Sequence, residues 1–232
     1  MSSYFEARKI SPEFYKNYKL PSYLSNRLPK DKSLPILDFG CGFGQTLLAL
    51  RDLGYENIIG CDVDDEAIEY CISQGLKVEN CSNLDEFVVK YENKFDMVLM
   101  LHVLEHFPKT EIIQTLSKIN KILKKQGKII IVVPNAQSSI GAYWAYEDFT
   151  HELIFTSGSL YYVLKMAGFE EIKFIDIDCT EGMSTIKKII KKFLLKIYKA
   201  KIHFWNRITS SSFHKQSPEI YSWEIKVLAV KK

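Results

Sequence analysis

The sequence has few of the features that mark fibrous, disordered, secreted or membrane-spanning chains. It contains 11 glycines and 7 prolines in 232 residues, and 47% of its residues are hydrophobic, which excludes collagenous and disordered classes. No apolar run approaches the roughly 20 residues that cross a bilayer. Residues 1–10 include Glu6, Arg8 and Lys9 and lack the apolar segment of a signal peptide.

Cysteine usage also excludes a disulfide framework. The five cysteines form no Cys-x-x-Cys pair and are odd in number. Reduced thiols in a cytoplasmic protein are the simplest interpretation. The length suits one domain with a substantial core, so we expect a single domain over residues 1–232.

Strand-like apolar runs alternate with helix-like runs through most of the chain. The predicted strands are 35–39, 57–61, 76–79, 95–101, 128–133, 171–178 and 221–230, and the predicted helices are 46–53, 64–74, 85–91, 112–123 and 159–167. Residues 95–101 are apolar at almost every position, as expected of a strand buried on both faces. The alternation predicts an α/β fold with a doubly wound parallel sheet.

A glycine-rich loop lies between the first strand and the first helix of this alternation. The glycines of Gly40-Cys41-Gly42-Phe43-Gly44 allow a tight turn and a close approach to a ligand. The nicotinamide fingerprint GxGxxG would require glycine at Gln45. Asp38, just before the loop, would repel a pyrophosphate and attract a cationic ligand.

The segment Ile36-Leu37-Asp38-Phe39-Gly40-Cys41-Gly42-Phe43-Gly44 resembles motif I of the class I S-adenosylmethionine-dependent methyltransferases. The resemblance covers residues 34–134 well and residues 149–169 more loosely. It implies a methyltransferase with a Rossmann-like, seven-stranded, mostly parallel sheet of order 3-2-1-4-5-7-6. Strands one to five would be parallel, followed by a final hairpin-like antiparallel pair, with a basic amphipathic helix inserted before the last strand.

The same resemblance implies where S-adenosylmethionine, the expected cofactor, binds. The glycine loop would hold its methionine part, Asp62 its ribose hydroxyls, and Ser82 and Asn83 its adenine, although many relatives have Asp where this chain has Ser82. The implied cofactor-binding set is Asp38, Gly40, Cys41, Gly42, Gly44, Asp62, Ser82, Asn83 and Leu101. Within the domain, residues 1–33 would form a helical cover, 34–134 the cofactor-binding core and 135–232 the acceptor side.

A histidine-rich segment follows the fourth predicted strand. His102-Val103-Leu104-Glu105-His106 matches the inverzincin protease signature, but it directly follows a buried strand and Pro108 interrupts any helix through it. It also resembles the HVLEH stretch of the methyltransferases, at the substrate side of the cofactor. We therefore expect His102 and His151 to be the catalytic groups, acting as general base or positioning the acceptor.

Some relatives bind a divalent metal through Glu-x-x-Glu-His and a later histidine. In this chain His102 replaces the first glutamate, so the candidate ligands are Glu105 and His106 with His102 and His151. The alternative is that Glu105 and His106 only pack against and cap the next helix. We expect catalysis without a metal and keep these four residues as the ligand set if a metal binds.

The acceptor is expected to be a small molecule or a glycan. The stretch 143–146, Tyr-Trp-Ala-Tyr, suits an acceptor pocket or a hydrophobic lid over the cofactor. Residues 151–156 and 167–169 resemble methyltransferases of bacterial surface-glycan pathways, which implies O-methylation of a sugar or glycan-precursor hydroxyl. The alternatives are N-methylation of an amino sugar or small amine, and a non-catalytic binding subunit.

Residues 184–205 form a predicted basic amphipathic helix. Residues 183–207 contain seven lysines, one arginine and no acidic residue, whereas the whole chain has a net charge of +3, so the remainder is mildly acidic. Three interpretations of this helix are open. It covers the sheet or forms a homodimer contact, or it makes a peripheral contact with an anionic membrane. The third is a nucleic-acid contact, which the acidic remainder disfavours. The expected location is the cytoplasm, with the inner face of the membrane as the alternative.

Overall fold

A seven-stranded sheet forms the centre of the computed structural model, which describes residues 4–232. Residues 1–3 of the predicted N-terminal cover lie outside the described residues. The strands are β1 (Ile36–Phe39), β2 (Ile58–Asp62), β3 (Val78–Asn80), β4 (Phe95–Leu101), β5 (Leu123–Pro134), β6 (Phe169–Phe174) and β7 (Glu224–Lys231). Their order is β3-β2-β1-β4-β5-β7-β6.

The strand directions confirm the predicted topology. Strands β1 to β5 pair in parallel, and β7 lies antiparallel between β5 and β6. Strand β5 begins five residues before its predicted start, with Gln126 at a positive φ of 65° beside Gly127. Strand β6 ends before its predicted end, and the chain turns at Asp176, whose φ is 43°.

Helices fill the connections between the strands. They are α1 (Tyr4–Ala7), α2 (Ser22–Ser25), α3 (Gln45–Asp52), α4 (Asp65–Ser73), α5 (Leu84–Tyr91), α6 (Ile112–Ile122), α7 (Gly141–Glu147), α8 (Ser157–Met166) and α9 (Thr185–Ile208), with 3₁₀ turns at Pro12–Tyr15 and Leu104–His106. Side-chain caps fix several starts: Asp64 accepts from the amide of Ala67 in α4, and Thr156 forms a capping box with Ser159 in α8.

The core lies on both faces of the central strands. Val98, Leu99 and Met100 in β4 and the stretch 129–133 in β5 are fully buried, as their continuous apolar sequence predicts. Helices α5, α6 and α8 pack on one face, and α2 and α3 contribute to the core on the other. This arrangement leaves the carboxyl ends of β1 to β4 open at one edge of the sheet.

The two most amphipathic segments have opposite surroundings. In α6 the apolar residues Ile112, Leu116, Ile119 and Ile122 are buried against the sheet, whereas α9 has no buried residue. Of the interpretations of this helix, the one in which it covers the sheet is wrong, because other helices already occupy both faces. A homodimer contact, a membrane contact and a nucleic-acid contact stay predictions. Within residues 4–232, no helix combines the length and the apolar character that crossing a bilayer requires.

Candidate active site

A cavity of about 820 Å³ opens where the parallel strands end. Its lining includes Gly40 after β1, Asp62 at the end of β2, Ser82 after β3 and His102 after β4. Residues far apart in sequence meet here because the carboxyl ends of parallel strands lie along one edge of the sheet. The volume is in the range of protein sites that bind cofactors and other small molecules.

The glycine loop forms one wall of this cavity. Gly42 and Gly44 have φ values of +49° and +75°, in the left-handed region that residues with a side chain avoid. A Cβ on Gly44 would lie 2.7 Å from Leu76 Cδ1 and 2.8 Å from Cys71 Sγ, so there is no room for one. The loop therefore presents bare backbone to the cavity at Gly40 and Gly42.

Asp62 holds the glycine loop against the end of β2. Its Oδ2 accepts a hydrogen bond from the Gly42 amide at 2.8 Å. Its Oδ1 accepts from the amides of Val63 at 2.8 Å and Asp64 at 3.1 Å. One carboxylate thus fixes the loop and the strand end while also lining the cavity.

The implied cofactor-binding residues divide into two groups. Those that line the cavity are Gly40, Gly42, Asp62, Ser82 and Leu101, and those that lie behind its wall are Asp38, Cys41, Gly44 and Asn83. Asn83 caps α5 by accepting from the Glu86 amide at 3.3 Å. Asp38 is 2% exposed, and its burial together with the charge of Asp62 raises its pKa to about 7.

His102 lies on the wall of the cavity just after β4 and is held on three sides. Its Nε2 is 3.2 Å from Glu224 Oε2, its Nδ1 is 3.4 Å from Glu105 Oε1, and its ring stacks on Trp223 with centroids 5.3 Å apart. Burial lowers the pKa of His102, but the two carboxylates outweigh this effect and raise it to about 9. A cationic imidazole does not suit the role of general base that we expected for His102.

Three other members of the histidine-rich set come together beside the cavity. One ligand atom each of Glu105, His106 and His151 lies within 4.8 Å of the others. His106 lines the cavity, whereas His151 lies next to the lining residue Thr150. His102 is not part of this group, although its Nδ1 is 3.4 Å from Glu105 Oε1; its Nε2 faces Glu224 and its ring stacks on Trp223.

Hydrogen bonds define the free nitrogen of both histidines. His151 Nδ1 is 2.7 Å from the carbonyl oxygen of Trp144, so Nδ1 carries the proton and Nε2 keeps its lone pair. The Thr150 hydroxyl donates to Asp148 at 2.7 Å and accepts from His106 Nδ1 at 2.8 Å. His106 therefore also has its Nε2 lone pair available.

Glu105 is the unusual member of this group. Its side chain is 0% exposed, and neither carboxylate oxygen has a hydrogen-bond partner among residues 4–232. The His102 ring lies beside it, with Nδ1 3.4 Å from Oε1, but Oε2 has no partner in the described part of the chain, and a bound cation would relieve the cost of burying it. With two imidazoles beside it, the group offers the two-histidine, one-carboxylate ligand set found in zinc enzymes, so these residues fit a divalent metal.

The sequence did not indicate four further residues that lie around His102 and the loop before His151. Tyr4 donates to Asp148 at 2.5 Å, which ties the N-terminal segment to the loop before His151. Trp223 and Glu224 reach His102 from the start of β7. One signal in the sequence could have indicated Glu224. It is a glutamate at the beginning of an apolar strand, and a glutamate that becomes buried there needs a charged or hydrogen-bonding partner.

Comparison with known families gives a match over most of the chain. The model of a family described as "Methyltransferase domain" (Methyltransf_23) matches residues 12–173. Among curated proteins, an uncharacterized protein of Methanocaldococcus jannaschii is 34% identical over 119 residues. That match covers 51% of this chain and 49% of the relative, so it spans about half the length of each.

Solved structures share the fold. A SAM-dependent methyltransferase from Archaeoglobus fulgidus superposes with a TM-score of 0.67 at 22% identity, covering 98% of both chains. A possible histamine N-methyltransferase from Thermotoga maritima gives 0.59 at 17% identity, covering 91% of this chain and 89% of that one. Phosphoethanolamine N-methyltransferase 2 of Haemonchus contortus, in complex with S-adenosyl-L-methionine, gives 0.58 at 16% identity, covering 90% of this chain and 51% of that one.

Proposed function

The chain belongs to the methyltransferase family, and on that premise we propose that it methylates a hydroxyl group of a sugar or glycan precursor with S-adenosylmethionine as donor. The observation that carries the proposal is the group formed by Glu105, His106 and His151 at the acceptor side of the cavity. A hydroxyl has a pKa well above 7, so its methylation needs a base or a cation, which this group supplies.

The residues of the cofactor end fit S-adenosylmethionine. The backbone of Gly40 and Gly42 lines the part of the cavity that would receive its methionine part, and the Phe5 ring packs beside Gly42, 3.4 Å from where a Cβ would lie. Asp62 provides a carboxylate that can accept hydrogen bonds from ribose hydroxyls. The bound donor supplies a methyl group on a cationic sulfur, and the protein aligns the acceptor with it.

In the proposed reaction the acceptor oxygen attacks the methyl carbon as the carbon–sulfur bond breaks. The electron pair of that bond stays on sulfur, and the acceptor loses its hydroxyl proton. Nε2 of His151 or His106 takes this proton, because the Nδ1 of each ring is already occupied by a protein partner. The His102 cation remains ion-paired with Glu105 and Glu224 and positions the acceptor side.

The buried carboxylate of Glu105 supports a metal-assisted form of the same reaction. Glu105, His106 and His151 would hold the ion, and a divalent metal bound there would lower the pKa of an acceptor hydroxyl. In that form the two histidines would be ligands, and the acceptor proton would pass to solvent water. Both forms activate a hydroxyl acceptor, whereas an amine acceptor needs only desolvation and a route for its proton.

Exposed aromatic side chains support a sugar as the acceptor. Tyr143, Tyr146 and Phe149 lie in and after α7, in the segment that leads to His151, and all three are exposed. Flat aromatic faces pack well against the apolar faces of sugar rings. Phe149 is 99% exposed and adjoins Thr150, which lines the cavity.

The test is a methylation assay on matched hydroxyl and amino sugars, with and without a chelator. We expect product from the hydroxyl sugars, and loss of that activity in His151→Ala while His203→Ala, a distant exposed histidine, retains it. Activity on amines alone that survives in His151→Ala would favour N-methylation. If calorimetry detects no binding of S-adenosylmethionine, the chain is a non-catalytic subunit.

A further inference from the structure

Helix α9 presents its apolar side chains to the outside of the molecule. Six of them recur along one face at helical spacing and are all more than half exposed: Ile186, Ile190, Phe193, Ile197, Phe204 and Ile208. A helix on the surface of a globular protein normally turns such a face toward the core. We name these six residues the outer face of α9.

The opposite side of α9 faces the protein body. Its partly buried residues include Lys191, Tyr198 and Lys199. Lys191 Nζ donates to the carbonyl of Cys179 at 2.7 Å, and the Tyr198 ring packs on Tyr221 with centroids 5.5 Å apart. These contacts hold the helix with its outer face directed away from the sheet.

Positive charge borders the outer face on both sides. With 100° of rotation per residue, Lys196 and Arg207 lie along one border and Lys187 and Lys201 along the other. All four are exposed, and none has a carboxylate within 4.0 Å among residues 4–232. Helix α9 contains no acidic residue. The combination is an apolar stripe about 33 Å long, from Ile186 to Ile208, with cationic residues on both borders.

We propose that the outer face of α9 binds the surface of an anionic lipid bilayer, with the helix lying in the plane of the interface. An apolar stripe enters the boundary between headgroups and acyl chains, and lysines on its borders contact anionic headgroups. A second copy of the same face would bring two cationic helices together, which charge repulsion opposes. A nucleic acid would engage the lysines but leave the apolar stripe exposed to water.

The experiment is flotation of the full chain with vesicles of phosphatidylcholine alone and with 30% phosphatidylglycerol added. We expect binding to the anionic vesicles, weaker binding at high salt, and little binding to the neutral ones. Equal binding to both kinds of vesicle, or no binding to either, would overturn the proposal.

Two double variants separate the apolar and charged contributions. Phe193→Ser with Ile197→Ser should lower the partition coefficient by about 100-fold, because two large apolar side chains no longer leave water. Lys196→Gln with Lys201→Gln should lower it by about 30-fold, since each lysine near an anionic surface contributes a factor of about five. The matched control is Lys109→Gln with Lys125→Gln, two exposed lysines outside α9, which should leave binding within twofold.

Sedimentation velocity without lipid tests the competing partner. The proposal expects a monomer with or without the Phe193→Ser and Ile197→Ser changes. A dimer that these changes dissociate would mean that a second copy covers the outer face, and the proposal would be wrong. Affinity for S-adenosylmethionine should be unchanged in all variants, which checks that each one folds.

Discussion

At the proposed cofactor end of the cavity the backbone forms the site, whereas at the proposed acceptor end side chains from separate segments form it. The cofactor end consists of a glycine loop and one carboxylate, Asp62, which accepts three backbone amides. The acceptor end combines residues 102–106, the loop before α8, and Trp223 and Glu224 at the start of β7. A few neighbouring positions in the sequence therefore determine the cofactor end. The acceptor end depends on how segments that are distant in the sequence pack together.

This difference suggests that the two ends can be altered separately. A change at the cofactor end should weaken binding of S-adenosylmethionine, whereas a change at the acceptor end should slow methyl transfer and leave cofactor binding unaffected. Four predictions test that separation.

The largest effect is expected at the acceptor end, in His106→Ala and His151→Ala. Loss of a group that removes a proton or binds a metal should lower kcat on a hydroxyl acceptor by roughly 10²- to 10⁴-fold. The affinity for S-adenosylmethionine, measured by calorimetry, should stay within twofold. If cofactor affinity falls together with kcat, the two ends are not separable. His203→Ala, in α9, is the control.

At the cofactor end, Asp62→Ala should weaken S-adenosylmethionine binding by up to about 100-fold. The variant loses a charged acceptor for the ribose, worth roughly 1.5–3 kcal/mol, and also the carboxylate that holds the Gly42 amide. Calorimetry measures the effect, and Asp52→Ala, an exposed aspartate on α3, is the matched control. Unchanged affinity would contradict the assignment of the cofactor to this end.

Gly44→Ala should lower the free energy of unfolding by more than Gly75→Ala does. Both residues have a positive φ, +75° and +71°, and a side chain there costs about 1–2 kcal/mol. A Cβ at Gly75 meets nothing within 4 Å, whereas at Gly44 it would crowd Leu76 and Cys71. Urea denaturation gives the free energy of unfolding of each variant, and the difference between them measures the cost of crowding Leu76 and Cys71. Equal free energies of unfolding would show that the glycine loop relaxes to accept the extra methyl group.

The smallest effect concerns pH and Asp38. Because the pKa of Asp38 is raised to about 7, its carboxyl is mostly protonated at pH 6 and mostly ionised at pH 8. A cationic cofactor near it favours the ionised form, so affinity for S-adenosylmethionine should be about tenfold lower at pH 6 than at pH 8. Binding near pH 7 should release a proton, and Asp38→Asn should remove this dependence. If the affinity of Asp38→Asn for S-adenosylmethionine depends on pH as it does in the unmodified protein, Asp38 is not the group responsible.

The fold could be predicted from the sequence because its signals are local. Continuous apolar runs predicted β4 and β5, and glycines after helical segments predicted their ends. The strand order followed from the resemblance carried by residues 36–44, and the structure has that order. Strand ends were less well predicted, since pairing partners rather than local sequence set where β5 and β6 begin and end.

The acceptor side could be predicted only in part. The sequence nominated His102, Glu105, His106 and His151, but it did not indicate that Glu224 and Trp223 hold His102. Those partners lie about 120 residues away, at Glu224 where β7 begins and at Trp223 just before it, and β7 is inserted between β5 and β6. A pairing of two ionisable groups changes a pKa only when folding brings them together, so no sequence pattern revealed that His102 is a cation.

The sequence by itself determined that the chain alternates strands with helices, that its glycine loop lacks side chains where a ligand approaches, and that α9 has one apolar and one basic side. Only the tertiary structure decided that α6 buries its apolar face while α9 exposes its own, and that Glu105 joins His106 and His151 rather than capping a helix. The physical reason is that periodicity fixes which residues share a face, whereas the surface that this face meets depends on the packing of the whole chain.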